Sequence, residues 1–392
     1  MKEKWRVTWI GLAFVSPWII GILVFLSVPF VAGLYFSLCD YPPLKGPMYI
    51  GGDNYTELVH DDQFTRSLGV TTIYAAISIP LGVLAALVLA MLLNARVRGQ
   101  SFYRVIYFMP HLVPVVVTAV LWKWIFNPDY GLFNTVLGVF LRGVNFWTSF
   151  WFDIHNAAAG SFFFKPASLA LLVIPVSLVA VWSRRFNGAL VHHHALHRFL
   201  QTFTVLLGVL AGAAFLNAAL FYVAPQDMHT LQAPGWLSDG RPLPSTVPFA
   251  PSWALWGLII LSLWSTGQMA LIYLAKLQDV PVELYEAADV DGASWLVKTW
   301  HVTIPMMSPI ILFNVIMGII GAFQVFVEPY IMTNGGPENK TRFVAMFVYD
   351  NAFQYQRLGY ASAVAWVLFL VIVVLTIIAF RMLRERVYYA GE

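Results

Sequence analysis

The residues of this chain that could carry out chemistry are few and scattered. Cys39 is the only cysteine, so the chain has no internal disulfide and no cysteine metal site. His193 and His197 are four residues apart and would share one face of a helix, which suits a metal ion, but no acid or cysteine lies nearby. We read His192–His197 as a polar loop, with metal binding as the open alternative, and expect no catalytic residue and no bound metal.

The chain also lacks the sequence Gly-x-x-x-x-Gly-Lys followed by Ser or Thr, the loop that cradles the phosphates of ATP. We therefore expect that this chain is not an enzyme by itself and binds no cofactor.

One charged segment stands out in an otherwise apolar sequence. It holds five acids: Asp279, Glu283, Glu286, Asp289 and Asp291. We predict that Asp279 caps a helix, that Pro281 lies in its first turn and that Gly292 ends it in a left-handed conformation. The apolar side of this helix, opposite the acids, would consist of Val282, Tyr285, Ala288 and Val290.

A second short helix, Ser294–Val302, should follow and stop before Pro305, because proline disrupts a helix interior. The two short helices would then protrude from the rest of the protein as a knob, residues 276–305. An ordinary solvated loop with a charged face is the alternative interpretation.

The composition decides which elements must carry these residues. Of the 392 residues, 59% are hydrophobic and 11% are charged, and the mean hydropathy is +0.71. Soluble domains carry about 25% charged residues. A soluble enzyme, a disordered protein and a secreted disulfide scaffold are excluded, and an all-α integral membrane protein is expected. The net charge of +3 forms no basic patch interleaved with stacking aromatics, so no nucleic-acid partner is expected.

The charges divide the chain into eight long uncharged windows: 7–39, 67–95, 105–122, 166–183, 199–226, 242–275, 299–327 and 358–380. A transmembrane helix needs about 20 apolar residues. The windows are continuous apolar runs rather than alternating segments of about 10 residues, so a polytopic helical bundle is predicted and a barrel is not. The first window is about twice as long as the core of a signal peptide, so we expect a retained helix.

Most of the 23 Lys and Arg residues fall on one side when the eight spans alternate from an inside N-terminus. Cytoplasmic loops are enriched in Lys and Arg. We therefore predict a multi-pass protein with both termini in the cytoplasm, which places the knob in the cytoplasm as well.

Polar and aromatic groups within the apolar windows are the candidates for contact with a solute, because such groups are costly in lipid and usually face a cavity. They are Trp264, Gln268, Asn314, Phe323, Gln324 and Phe326. Amides can hydrogen-bond a sugar and rings can stack on it. Hydrogen bonding between helices is the alternative role for the amides.

The knob sequence resembles a known family. Glu286-Ala287-Ala288, then Gly292, then Val302-x-Ile304-Pro305 is similar to the EAA loop of ATP-binding-cassette (ABC) importer permeases. The preceding segment, Leu277–Tyr285, resembles the lead-in of that loop. Val302 and Ile304 depart mildly from the Ile and Leu of the family pattern.

Further stretches resemble the carbohydrate branch of that family, the maltose and glycerol-3-phosphate type. They are Trp122–Gly131, Gly321–Phe326, Met332–Pro337 and Leu358–Ala363. The resemblance covers roughly 1–145 and 249–388. It implies a six-helix type I permease core, with three helices in 1–145 and three in 249–392, and an insertion at 146–248 that adds two helices.

The resemblance implies a transmembrane permease subunit in a bacterial inner membrane, which moves a sugar or sugar derivative into the cytoplasm by alternating access. The partners would be a second permease, two ABC ATPase subunits that bind ATP and Mg, and an extracytoplasmic solute-binding protein. The residues that would couple the permease to the ATPase are Glu283, Tyr285, Glu286, Ala287, Ala288, Asp291, Gly292 and Pro305.

Two alternatives remain open at this point. The solute could be a polyamine or a glycerol phosphate instead of a sugar. A secondary transporter is less favoured, because no Asp or Glu lies deep in any window.

Overall fold

A computed structural model describes residues 2–94, 99–138, 235–238 and 251–384. The chain divides into two units, Met1–Asn134 with Pro234–Glu392, and Thr135–Ala233. Apart from 235–238, the expected insertion at 146–248 lies outside the described residues, as do its two apolar windows and His192–His197. Those expectations, and the domain boundaries at 145 and 249, stay predictions.

Helices dominate the described residues, as predicted. They are α1 (Lys2–Ile22), α2 (Val28–Ser37), α3 (Asp53–Val59), α4 (Asp62–Asn94), α5 (Gln100–Leu112), α6 (Val115–Ile125), α7 (Trp253–Trp264), α8 (Gly267–Gln278), α9 (Val282–Val290), α10 (Trp295–Lys298), α11 (Ile304–Phe323), α12 (Val327–Met332), α13 (Val344–Tyr349) and α14 (Leu358–Arg384). Residues 132–138 are helical as well. Three π-helical turns lie at Leu23–Ser27, Thr299–Thr303 and Asp350–Gln354. A short antiparallel hairpin pairs β1 (Cys39–Asp40) with β2 (Met48–Tyr49).

Among the described residues, four helical stretches are long and apolar enough to cross a membrane: Ala13–Ser37, Asp62–Asn94, Trp295–Met332 and Leu358–Leu383. Two bent pairs, α5 with α6 and α7 with α8, raise the number to six if each pair is one span. These six regions fall on six of the eight predicted windows, which confirms the helical membrane fold. The other two windows lie outside the described ranges.

Prolines lie at the sharper of the two bends. The α5–α6 pair bends by 98° where Pro110 lies in the last turn of α5 and Pro114 precedes α6. Proline lacks the backbone N–H and disfavours a helical residue before it, so the helix breaks there. The α7–α8 pair bends by 44° at Ser265 and Thr266.

The core is built around α4, which packs against α7, α8, α11 and α13. At the end of the bundle next to the knob, one buried cluster joins α4, α8 and α11: Ala86, Leu87, Ala90, Leu93, Ala270, Tyr273, Leu274, Leu277, Val280 and Met307. Lipid tails are as apolar as these side chains, so close packing rather than water exclusion holds the helices. The small residues Ala86, Ala90 and Ala270 let α4 and α8 approach closely.

We call residues 39–64 and 341–364 the distal end of the bundle, because they lie at the end of α4 that is remote from the knob. Helix α4 spans 33 residues and is therefore about 50 Å long. A second buried cluster joins α3, α4, α13 and α14 there: Leu58, Phe64, Val344, Phe347, Tyr360 and Val364. The hairpin is fixed to it by Asn54, whose amide donates to the carbonyls of Ser37 and Cys39 at 2.9 Å each.

Polar contacts at the distal end connect residues 300 positions apart. Arg357 pairs with Glu57 at 2.5 Å and its guanidinium lies 4.5 Å from the ring centre of Tyr360. The Tyr360 hydroxyl donates to Asp61 at 2.7 Å. The hydrogen bond to Glu57 raises the pKa of Arg357 above its usual value, so this cation remains charged.

Gly359 sits where the start of α14 meets the hairpin, and a Cβ there would overlap the carbonyl oxygen of Cys39. We expect Gly359→Ala to lower the free energy of unfolding by about 1–3 kcal/mol, the usual cost of overpacking. Thermal melting of the purified protein in detergent measures this change. Gly69→Ala is the matched control, because a Cβ at that exposed helical position meets nothing within 4 Å. Equal melting temperatures for the two variants would contradict the packing argument.

Candidate functional site

The knob ends its first helix with a hydrogen-bonded turn that favours glycine. Gly292 has φ +71°, the left-handed conformation that the sequence predicts. The amide of Gly292 donates to the carbonyl of Asp289 at 3.0 Å, and the amide of Ala293 donates to that of Ala288 at 2.9 Å. These two bonds form a Schellman motif, which satisfies the last carbonyls of the helix. The chain therefore reverses sharply between α9 and α10.

Two details of the predicted knob are wrong. Asp279 does not cap α9: it ends α8, and Pro281 directly precedes α9 without a side-chain cap. The second helix does not stop before Pro305, because α10 continues through the π-helical turn Thr299–Thr303 into α11. The wider turn accommodates the proline ring and its missing N–H without a break in the helix.

The knob is anchored to the bundle by its tyrosine and tied together by an ion pair. The Tyr285 hydroxyl lies 3.0 Å from that of Thr303, and the ring packs on the buried cluster next to the knob. Lys298 of α10 pairs with Asp289 of α9 at 2.7 Å. These contacts hold α9 at a fixed angle to the membrane-spanning helix α11.

The rest of the knob faces outward without a covering element among the described residues. The predicted coupling residues Glu283, Glu286, Ala287, Asp291 and Gly292 are exposed, whereas Ala288 and Pro305 are half-buried. Val282 and Val290, predicted on the apolar side opposite the acids, are 63% and 89% exposed. The reason is that α9 touches the bundle mainly through Tyr285. A surface that combines exposed acids with exposed apolar side chains is typical of a protein interface.

Gly292→Val should loosen this turn, because a left-handed conformation costs a residue with a Cβ about 1–2 kcal/mol. We expect about tenfold faster hydrogen exchange at the amides of Gly292 and Ala293, measured by mass spectrometry. Gly292→Asn is the control, since asparagine tolerates this conformation and a Cβ at this position meets nothing within 4 Å. Equal exchange in both variants would exclude backbone strain as the cause.

The six candidate solute residues separate into buried and accessible groups. Asn314 and Phe323 are buried, and the Asn314 amide donates to the Ile310 carbonyl of its own helix at 3.0 Å. Gln268 and Gln324 are exposed, and Trp264 and Phe326 are half-buried. The four accessible residues can contact a solute directly, whereas the two buried residues can affect solute binding only through the residues that they pack against.

Three of the accessible residues lie at helix breaks. Trp264 ends α7 at the 44° bend, and Gln324 and Phe326 lie in the non-helical link between α11 and α12. Irregular backbone at membrane depth is tolerated where it is buried in protein or lines a cavity. Helix α6 packs against both breaks, since Trp122 lies edge-on to Trp264 at 5.8 Å and the Lys123 ammonium donates to the carbonyl of Ile331 in α12 at 3.1 Å.

Glu328 is the charge that ends the predicted window 299–327, so it lies just outside that window. It is in the first turn of α12, near the end of the helical stretch Trp295–Met332, and is half-buried. The expectation that no Asp or Glu lies deep in a window is therefore unaffected.

Sequence reasoning also missed Thr303, Lys298, Tyr330 and Tyr349. The first two are ordinary residues whose role depends on contact with α9, and the last two lie beyond the apolar windows. Within the described ranges, no group of three or more His, Cys, Asp or Glu residues could hold a metal ion.

Comparison with known proteins places this geometry in a family context. The family model described as "Binding-protein-dependent transport system inner membrane component" matches residues 78–388. The match includes the knob, both helix breaks and the distal segments of α13 and α14.

Individual proteins match over nearly the whole chain. The probable ABC transporter permease protein YesP of Bacillus subtilis (strain 168) is 29% identical over 97% of this chain and 93% of its own length. The trehalose/maltose transport system permease protein MalF of Thermococcus litoralis is 24% identical over 98% of this chain and 97% of its own length.

A solved structure of a bacterial ABC transporter involved in the import of the acidic polysaccharide alginate has a similar fold. The TM-score is 0.63 at 17% identity, and the match covers 98% of both chains. A second structure of the alginate transporter, in complex with alginate pentasaccharide-bound periplasmic protein, matches with the same score and covers 97% of that chain. At this identity the likeness concerns the fold.

Proposed function

The chain belongs to the binding-protein-dependent transport system inner membrane components, and we propose that a di- or oligosaccharide crosses the bilayer through it into the cytoplasm. It is a permease subunit of an ABC sugar importer. The relative named for trehalose and maltose transport matches over almost its full length, which supports a short oligosaccharide over a monosaccharide.

The knob is the observation that carries the mechanism. The chain has no ATP-binding loop, so the energy for transport must come from a separate ATPase. We propose that one ATPase subunit binds the exposed face of α9 in this chain. Glu286 would lie in the interface, and Gly292 would allow the turn. Because Tyr285 and the π-helical turn connect α9 to α11, a movement of the ATPase would displace α11 as a rigid body.

The remaining partners follow from the two ends of the bundle. We propose that the knob and both termini are cytoplasmic, and that the distal end faces a solute-binding protein outside. A second permease subunit, either a copy or a different chain, would complete the translocation path, and two ATPases would serve the two permeases. The complex of the alginate transporter with its periplasmic protein supports this arrangement.

Within the bilayer we propose that Trp264, Gln268, Gln324 and Phe326 contact the sugar. All four are accessible, and three lie at the helix breaks next to α6. Asn314 and Phe323, which are buried, would hold the helix breaks in place by packing. Amide groups would bind hydroxyls, and the rings would stack on the C–H faces of the sugar.

The test is reconstitution with the ATPase and binding protein encoded by neighbouring genes. Proteoliposomes that contain the purified complex should accumulate radiolabelled maltose, trehalose or lactose only with ATP on the knob side and binding protein on the other. Spermidine and glycerol 3-phosphate are the competing solutes. Uptake of either of these without any of the sugars, or the absence of a stable complex with the ATPase, would overturn the proposal.

A further inference from the structure

Four aromatic rings form a connected group that begins at Phe326, one of the predicted solute contacts. Phe326 stacks on Tyr330 with ring centres 5.1 Å apart and planes at 21°. Tyr349 lies 5.1 Å from Phe326 and 5.5 Å from Tyr330. Phe353 lies 5.1 Å from Tyr349. We call Phe326, Tyr330, Tyr349 and Phe353 the aromatic ladder.

The ladder runs from inside the bundle to its surface. Phe326 lies in the break between α11 and α12, whereas Phe353 lies in the π-helical turn Asp350–Gln354 at the distal end and is 67% exposed. The two inner tyrosines and Phe326 are half-buried. Each ring of the ladder therefore keeps part of its surface free, unlike the nearby Phe343 and Phe347, which are fully or almost fully buried.

Polar groups accompany the rings along the same path. Tyr330 and Tyr349 contribute two hydroxyls, and Asp350 directly follows Tyr349 in the chain. Glu328 is on α12 two residues before Tyr330, and the side chains of Gln324 and Gln354 are exposed near the two ends of the ladder. Sites for small polar ligands combine apolar and aromatic walls with a few placed hydrogen-bonding groups. The ladder has both.

A purely structural role explains less of this arrangement. Interfacial aromatic residues anchor a membrane protein by spreading around its circumference at headgroup level. The ladder residues instead contact one another at one place: Phe326, Tyr330 and Tyr349 each touch the other two, and Tyr349 connects them to the exposed Phe353. Ring-to-ring packing alone would favour burial of the outermost ring, yet Phe353 is the most exposed of the four.

We propose that the aromatic ladder is the path by which a sugar passes from the binding protein at the distal end to the contacts at the α11–α12 break. The inference rests on the proposed sugar import. The rings would hold the C–H faces of successive sugar units, and the tyrosine hydroxyls, Glu328 and the two glutamines would exchange hydrogen bonds with the hydroxyls. Weak contacts in series let a ligand advance without being trapped.

The test compares Phe353→Leu, Phe353→Trp and Phe369→Leu in the reconstituted complex. Phe369 is a matched control, since it is 41% exposed and packs on Phe30 and Trp366 away from the ladder. The readout is the number of maltose, trehalose or lactose molecules imported per ATP hydrolysed, with saturating binding protein. A merely structural defect would lower transport and hydrolysis together.

We expect Phe353→Leu to lower this ratio about tenfold, the effect of losing one good ring contact, whereas Phe353→Trp and Phe369→Leu keep it near the wild-type value. An unchanged ratio in Phe353→Leu, or an equal loss in Phe353→Trp or Phe369→Leu, would overturn the proposed role of the ladder. Sugar uptake by the wild-type complex would still support the proposed function in that case. A wild-type complex that imports none of the sugars overturns both.

Discussion

Glu286→Lys is expected to abolish sugar uptake while the chain still folds and inserts. Glu286 is exposed on α9 and forms no ion pair within the part of the chain that the structure describes, so the change costs the isolated subunit little. In the complex the carboxylate would be desolvated against a basic group of the ATPase. Loss of one partner of such a pair costs about 2–5 kcal/mol or more, and charge reversal adds repulsion.

The measurement is co-purification of the ATPase with the tagged permease, followed by uptake into proteoliposomes. Asp279→Lys is the control, because it makes the same change of charge at an exposed position that ends α8 and lies outside α9. We expect Asp279→Lys to retain the ATPase. Full ATPase recovery and uptake with Glu286→Lys would show that this face of the knob is not the docking surface.

Asp350→Ala should destabilise the distal end more than any other single change proposed for that region. The Asp350 carboxylate accepts a hydrogen bond from Arg342 at 2.6 Å, and the two side chains are only 12% and 11% exposed. Arg342 also donates to Gln63 at 3.2 Å, which connects the pair to α4. Removal of one partner from a buried ion pair costs about 3–5 kcal/mol, because the other charge stays buried and unpaired.

A double variant separates the charge effect from a general loss of packing. In Arg342→Met with Asp350→Asn neither side chain is charged, so we expect it to recover much of the stability that Asp350→Ala loses. Thermal melting of the three proteins in detergent is the measurement. A double variant that melts no higher than Asp350→Ala would mean that the pair is not held by its charges.

The knob could be predicted in outline because its signals are local. A left-handed turn favours glycine whatever surrounds it, and Gly292 adopts that conformation. The cap at Asp279 and the stop at Pro305 were predicted wrongly for the opposite reason. Both depend on how α8 and α11 continue into the knob, and a π-helical turn at Thr299–Thr303 has no distinct pattern in the sequence.

For the candidate solute residues too, the sequence predicted the residue type but not its surroundings. The sequence places Asn314 and Gln324 alike as amides in an apolar window. In the structure Asn314 is buried and bonded to its own helix, whereas Gln324 is exposed at the end of α11. Which face of a helix is covered depends on its neighbours, and uniformly apolar windows carry no periodic pattern that would identify that face.

The sequence by itself determined that this protein is a helical membrane protein, because scarce charges and long apolar runs leave the backbone only helices as a way to cross a bilayer. The resemblance of the knob to the EAA loop added the permease family. The sequence also determined the turn of the knob. Only the tertiary structure decided that Arg357 meets Glu57 and that Tyr349 brings Phe353 together with Phe326 and Tyr330. Spacing along the chain reports a helix and its ends, whereas contacts between distant helices are set by packing that no local pattern encodes.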